Sequence, residues 1–204
     1  MNPQQNTPNN YLDQIATPAS KTSSVSGKIK LIIIGLVVAI VITIVAMVMI
    51  NIYNASRLDP WKTLVARLDT TEKIASSATK NIKSSQLRSL NSEIKLFLTD
   101  TNNNIQEPLK ILKIDKTKLP EDISKKESAS SALERLEDAR LNAVYDRTYA
   151  TEMKYQLSIL LSSIQQTYQV TSKAEIKQFL DKSYTSLKAT HDSLANYSAA
   201  NSKN

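Results

Sequence analysis

The longest apolar run in the chain covers residues 31–50, LIIIGLVVAIVITIVAMVMI, and contains no charged residue. Only Gly35 and Thr43 interrupt its aliphatic and methionine side chains. An α-helix of this length rises about 30 Å, the thickness of the hydrocarbon core of a bilayer. The pattern therefore predicts a transmembrane helix, bounded by residues 29–54, which acts as an uncleaved signal anchor.

After this segment, apolar residues recur at alternating steps of three and four, which is the spacing of one face of an α-helix. The first stripe consists of Trp61, Leu64, Leu68, Thr71, Ala75, Ala78 and Ile82. The second consists of Leu87, Leu90, Ile94, Phe97 and Thr101, and the last of Ile176, Leu180, Ser183, Leu187, Thr190, Leu194 and Tyr197. Asp59 and Pro60 are typical of a helix start, and Ser84 and Thr171 mark breaks.

The third stripe has the most regular spacing. Leu136, Ala143, Ala150, Leu157 and Ile164 follow one another by seven, beside a second seam of Ala132, Ala139, Asp146, Met153 and Leu160. This region begins at Pro120, and the weak stretch 125–131 leaves its continuity open. Asp146 interrupts the second seam, which favours register control through a bond to Arg or Tyr over contact with a ligand.

Four stripes joined by short turns favour antiparallel neighbours. The fold class that we expect is all-α, with one N-terminal transmembrane helix followed by an antiparallel helical bundle of about four helices. The bundle occupies residues 57–198, and residues 199–204 form a frayed C-terminus. Residues 1–28 are rich in Asn, Gln, Pro, Ser and Thr, so we expect a disordered polar tail.

The tail contains the box Tyr11-Leu12-Asp13-Gln14-Ile15-Ala16, in which Tyr11, Leu12 and Ile15 are candidate contacts for a cytoplasmic partner. This box, a lysine pair at Lys28 and Lys30, and the Ile/Val-rich span resemble the first 50 residues of single-pass membrane proteins from ultra-small, reduced-genome bacteria. The resemblance implies a membrane anchor and no particular activity.

The lysines on the N-terminal side lie closer to the span than the basic residues beyond it. This favours a protein of the cell membrane with a cytoplasmic N-terminus and an extracytoplasmic bundle.

The formal charge of +7 is mixed along the chain, which is unlike the dense basic stripe of a nucleic-acid binder. The densest basic segment, residues 107–120, carries candidate contacts for an anionic surface, namely Lys110, Lys113, Lys116 and Lys118. A solvated loop is the alternative for this segment.

Six tyrosines lie in the second half of the bundle, and Tyr145 and Tyr149 share one face. Packing against the bundle is the favoured interpretation of these two, and the alternative makes them candidate contacts for a partner or a sugar. The chain also contains no Cys and no Gly after Gly35, which excludes thiolate chemistry and glycine-rich phosphate loops.

His191 is the single histidine, so we expect no ordinary zinc site, no other metal site and no cofactor. A Ser-His-Asp triad is not expected, because His191 and Asp192 are neighbours on a helix and should point in different directions. The chain is therefore predicted not to be an enzyme.

Two function classes remain. The first is a structural or interaction protein at the cell surface, whose partners are the lipid bilayer, another membrane or envelope protein or polymer, and a second copy through the helix seams. The second is a ligand-sensing extracytoplasmic four-helix domain, which requires buried polar groups that converge in a cavity.

Overall fold

The computed structural model describes the backbone of residues 27–201 and the side chains of residues 36, 38–47 and 57–201. Within this range the chain is helical, with no strand. The seven α-helices are α1 (Gly27–Ala78), α2 (Ser85–Asn104), α3 (Gln106–Leu112), α4 (Glu121–Lys126), α5 (Ser130–Leu141), α6 (Tyr145–Val170) and α7 (Ala174–Asn201). A single 3-10 turn, Lys116–Lys118, lies between α3 and α4. The all-α prediction is confirmed for the described residues.

The chain divides into two compact units, Met1–Met49 and Ile50–Asn204. The second unit contains one continuous core, to which the C-terminal part of α1 and helices α2, α6 and α7 all contribute buried side chains. Every member of the first and last predicted stripes is buried. The 3.6-residue period therefore identified the core face of these helices correctly, because burial of an apolar face is what stabilises them.

The long helices run antiparallel, as side-chain contacts between them show. Between α1 and α2, Thr99 donates to Glu72 at 2.6 Å and Asn102 donates to Asp69 at 2.8 Å. Between α6 and α7, Gln165 donates to Tyr184 at 3.1 Å. Helices α1 and α6 are antiparallel as well. Thr167, near the end of α6, contacts the Pro60 carbonyl at the start of the bundle portion of α1. Asp146, near the start of α6, contacts the backbone just beyond the end of α1.

The turn between α1 and α2 forms where the sequence predicts a break. Ser84 has an extended backbone, and its hydroxyl accepts a hydrogen bond from the Leu87 N–H at 3.3 Å. A serine at this position satisfies one of the N–H groups that a helix start leaves without a partner. At Asp59 and Pro60 no separate helix begins. Helix α1 continues through Pro60, which is the alternative that the sequence leaves open at this position.

The third stripe is not one helix. Helix α5 ends at Leu141 and α6 begins at Tyr145, with Ala143 in the left-handed region at φ 58°. The Val144 N–H bonds the Ala139 carbonyl at 2.9 Å and the Ala143 N–H bonds the Arg140 carbonyl at 3.3 Å. These two bonds form a Schellman motif, which usually has glycine where Ala143 stands. The heptad pattern gave no sign of this break, and Ala143 is exposed rather than part of a seam.

A second Schellman motif ends α3. Lys113 adopts φ 56°, and the N–H groups of Lys113 and Ile114 bond the carbonyls of Lys110 and Leu109 at 3.1 and 3.0 Å. The predicted connector at residues 107–120 therefore consists of a short helix, a left-handed residue and a 3-10 turn. The weak stretch 125–131 does interrupt the third region, because α4 ends at Lys126 and α5 starts at Ser130.

Candidate functional site

The two tyrosines that are candidate contacts for a partner or a sugar are inside the bundle. Tyr149 is fully buried and Tyr145 is 5% exposed. Their rings stack with centroids 6.3 Å apart and an interplanar angle of 4°. The Tyr149 hydroxyl donates to the Asn91 side-chain carbonyl, and burial raises the pKa of Tyr149 well above its usual value. The burial agrees with the favoured interpretation of packing, and the alternative of a surface contact is wrong, because α6 turns this face towards α1 and α2.

Asp146 has a structural role, as expected, although its partners are not Arg or Tyr. Its carboxylate accepts the Lys83 N–H at 2.9 Å and the Ser84 N–H at 2.6 Å. Asp146 therefore caps the turn between α1 and α2 from the first turn of α6. A carboxylate that accepts backbone N–H groups forms the stronger, charge-assisted type of hydrogen bond.

The four lysines of the basic segment have different surroundings. Lys116 pairs with Asp69 at 2.7 Å and also donates to the Asn102 side chain at 2.7 Å, so it joins the 3-10 turn to α1 and α2. Lys110 pairs with Glu107 at 2.6 Å, and Lys118 pairs with Asp115 at 3.4 Å, both on the surface. For Lys113 the structure gives no ion pair with any described residue. The segment is therefore less positive than its lysine count indicates.

Sequence reasoning missed a pair of charged side chains that joins α1 to the segment before α5. Arg67 contacts the Glu127 carboxylate through Nε at 2.7 Å and through Nη2 at 3.1 Å. The Thr70 hydroxyl also donates to the Glu127 carbonyl. The Glu127 side chain is 8% exposed, and 60 residues separate it from Arg67. A carboxylate that is buried needs an opposite charge beside it. The local sequence around Glu127 did not indicate that this side chain is buried, so the pair could not be predicted.

A hydrogen-bonded chain of Ser158, His191 and Asp192 corrects another expectation. His191 Nε2 lies 3.0 Å from the Ser158 hydroxyl oxygen, and Nδ1 lies 3.1 Å from Asp192 Oδ1. The prediction that His191 and Asp192 point in different directions is therefore wrong, because the imidazole and the adjacent carboxylate lie within hydrogen-bond distance.

The hydrogen-bonded series Ser158, His191 and Asp192 has the order of contacts of a catalytic triad but lacks other features that a triad requires. Ser158 lies in the middle of α6, where backbone N–H groups serve the helix, and its hydroxyl is 2.9 Å from the Lys154 carbonyl. An acyl-transfer site needs free N–H donors beside the nucleophile to stabilise the oxyanion. Asp192 also pairs with Lys188 at 2.7 Å, and this bond, more than that to His191, lowers the pKa of Asp192. These contacts join α6 to α7.

Several buried polar groups of the core have hydrogen-bond partners within the bundle. Asn91 accepts from Tyr149 and donates to Thr79 at 3.5 Å, and Thr167 and Thr171 donate their hydroxyls to carbonyls of α6. Other buried polar residues line separate clefts on the surface, Thr101 and Ser183 in one, Glu127 in a second and Thr171 in a third. This distribution differs from the single converging polar cavity that the sensor interpretation requires. Within the described side chains, no group of three or more His, Asp or Glu is placed to hold a metal ion.

The predicted span is described in part. Side chains are described for residues 36 and 38–47, and all of the large apolar ones among these are between 50% and 63% exposed. No helix in the described part of the chain is both long enough and apolar enough to cross a membrane. Tyr11, Leu12 and Ile15, the candidate partner contacts of the tail, lie outside the described residues.

Comparison with known proteins adds no relative. Neither a known protein family, nor a curated protein, nor a solved structure matches this chain. In its described residues the protein is all-α, and the C-terminal part of α1 with α2, α6 and α7 forms an antiparallel bundle of four long helices.

Proposed function

We propose that this chain is a single-pass membrane protein whose helical bundle has a structural or interaction role at the cell surface. The observation that carries the proposal is the run of apolar side chains in residues 31–50. Seven described Leu, Ile and Val side chains of this run are at least half exposed. At about 0.3–0.6 kcal/mol each on the insertion scale, these seven favour the bilayer by about 2–4 kcal/mol.

The arrangement of the bundle supports an interaction role. Arg67 pairs with Glu127 and Lys116 pairs with Asp69, and the buried side chains of Tyr149 and Asn91 bond each other, so these polar groups serve the packing of the bundle. The connection between α5 and α6 presents Leu141 and Val144, which are 68% and 49% exposed. Two apolar side chains at one exposed turn are a better candidate partner contact than the buried Tyr145 and Tyr149.

Membrane extraction tests the anchor. Alkaline carbonate should leave the full chain in the membrane pellet. The variant V41K/I44K, which adds about 5–7 kcal/mol to the cost of insertion, should move it to the soluble or aggregated fraction. The matched control V41L/I44L should behave as the wild type. Release of the wild-type chain by carbonate would overturn the proposal.

Protease treatment of intact cells tests the side on which the bundle acts. We propose a cytoplasmic N-terminus and an extracytoplasmic bundle, so protease should degrade the bundle without lysis. Protection of the bundle until lysis would reverse the orientation. Cross-linking in the membrane, compared between the wild type and L141S/V144S, then reports whether the α5–α6 turn contacts another envelope protein or a second copy.

A further inference from the structure

One cleft in the bundle combines apolar walls with basic side chains. It has a volume of about 310 Å³ and lies between the start of the bundle portion of α1, the end of α3 and the turn from α6 to α7. Leu58, Trp61, Leu112 and Val170 supply apolar wall, and Arg57 and Lys173 supply positive charge. The structure gives Lys173 no carboxylate partner among the described residues.

The same end of the bundle carries further apolar and basic side chains. Leu112, the last residue of α3, reaches the cleft, and the exposed neighbours Ile111 and Lys113 flank it in the chain. Ile111 is 41% exposed. Lys116, in contrast, pairs with Asp69 away from this segment. Of the four lysines in the basic segment, Lys113 is thus the one that directly follows a residue of the cleft and has no ion pair among the described residues.

Arg57, which lines this cleft, is close in the sequence to the apolar run. It follows Ile50 by seven residues, and both belong to α1. Seven helical residues rise about 10 Å. The polar headgroup layer adds about 5–8 Å on each side of the hydrocarbon core. If the hydrocarbon core of a bilayer ends at Ile50, Arg57 is therefore within about 10 Å of its edge, a distance over which a long basic side chain can reach the headgroups.

We propose that this cleft binds one phospholipid with an anionic headgroup, with the phosphate at Lys173 and Arg57 and the start of an acyl chain against Leu58, Trp61 and Leu112. This inference rests on the proposed membrane anchor. A free phosphate ion would use the charges and leave the apolar wall in water, whereas a lipid satisfies both parts of the cleft. Basic side chains close to an anionic leaflet are attracted to it in the same way.

Trp61 makes the proposal directly measurable, because it is the one tryptophan of the chain and part of the cleft wall. The full chain is reconstituted in phosphatidylcholine vesicles that contain an equal fraction of brominated phosphatidylglycerol or brominated phosphatidylcholine. Bromine on an acyl chain quenches tryptophan at short range. We expect stronger quenching of Trp61 by the brominated anionic lipid, with a preference that falls about fivefold in K173Q.

The matched control is K182Q, which changes a lysine of α7 that does not line this cleft, and it should retain the wild-type preference. Equal quenching by the two brominated lipids, or a K173Q variant that behaves as the wild type, would overturn the lipid site. Loss of the preference on addition of soluble glycerol phosphate would show that the cleft binds a free phosphate ester instead, which also overturns it.

The outcome is separable from that of the membrane anchor. Flotation of the reconstituted chain with vesicles after a carbonate wash measures insertion alone. A chain that floats without preferential quenching refutes only the lipid site, whereas a chain that fails to float refutes the anchor on which the site depends.

Discussion

The pair formed by Arg67 and Glu127 gives the sharpest test of the bundle. The Glu127 side chain is 8% exposed and that of Arg67 is 21% exposed, and two contacts of 2.7 and 3.1 Å join them. Removal of one partner from a fully buried pair costs about 3–5 kcal/mol, whereas exposed pairs contribute about 0.2–1 kcal/mol. Because water reaches a fifth of Arg67, we expect E127L to reduce the free energy of unfolding by about 2–3 kcal/mol.

A double-mutant cycle separates the pair from its surroundings. R67M leaves the Glu127 carboxylate buried without its partner and should also cost about 2–3 kcal/mol. R67M/E127L replaces both charges by apolar groups, so its cost should be at least about 1.5 kcal/mol smaller than the sum of the single costs. The assay is urea unfolding of the full chain in mild detergent, followed by Trp61 fluorescence and by circular dichroism at the helical band.

An exposed pair provides the matched control. Lys125 and Glu121 lie 2.7 Å apart, yet their side chains are 75% and 81% exposed. E121A should therefore change the free energy of unfolding by less than about 0.5 kcal/mol. If E127L costs no more than E121A, or if the two single variants add exactly in the double variant, the buried contact between α1 and residue 127 does not exist in solution.

Three further outcomes are expected from the same unfolding assay. D146A should cost about 2–3 kcal/mol and D146N about 1 kcal/mol, because the carboxylate accepts two backbone N–H groups of the α1–α2 turn; equal costs would show that charge is not involved. The raised pKa of Tyr149 means that the folded protein keeps this proton while the unfolded chain loses it above pH 10.0. The contribution of Tyr149 to the free energy of unfolding is thus complete below that pH and falls by about 1.4 kcal/mol per pH unit above it. Y149F should show a shallower loss than the wild type between about pH 10 and 11, and an equal loss would show that burial of Tyr149 has no effect on the proton. A143G should raise stability by about 0.5–1 kcal/mol because glycine removes the strain at φ 58°, and a loss would show that the turn has another conformation.

The helices and their core faces were predictable because they depend on local order in the chain. Burial of one face every 3.6 residues leaves its spacing in the sequence, and the stripes of α1 and α7 are buried at every position that the spacing indicated. The cap at Ser84 was predictable for the same reason, since a serine before an apolar stripe satisfies the first N–H groups locally. The apolar run at residues 31–50 is likewise a property of composition alone.

The break after Leu141 and the left-handed residue that ends α3 were not predictable because their usual signal is absent. A residue with φ near 60° is most often glycine, and here Ala143 and Lys113 occupy these positions. Two carbonyl groups bonded at each helix end offset the cost of the left-handed backbone. The regular heptad pattern therefore continues across the turn at Ala143, and only the structure reveals that turn.

The sequence by itself determined that the described part of the chain is helical and where the core faces of α1 and α7 lie, since both follow from residue order within a few turns. The tertiary structure alone decided the roles of the polar residues. Tyr149 is buried against Asn91, Asp146 caps a distant turn, Glu127 meets Arg67, and Lys173 is placed beside Trp61 at one cleft. Contacts between residues far apart in the chain depend on how the helices pack, and no local pattern encodes them.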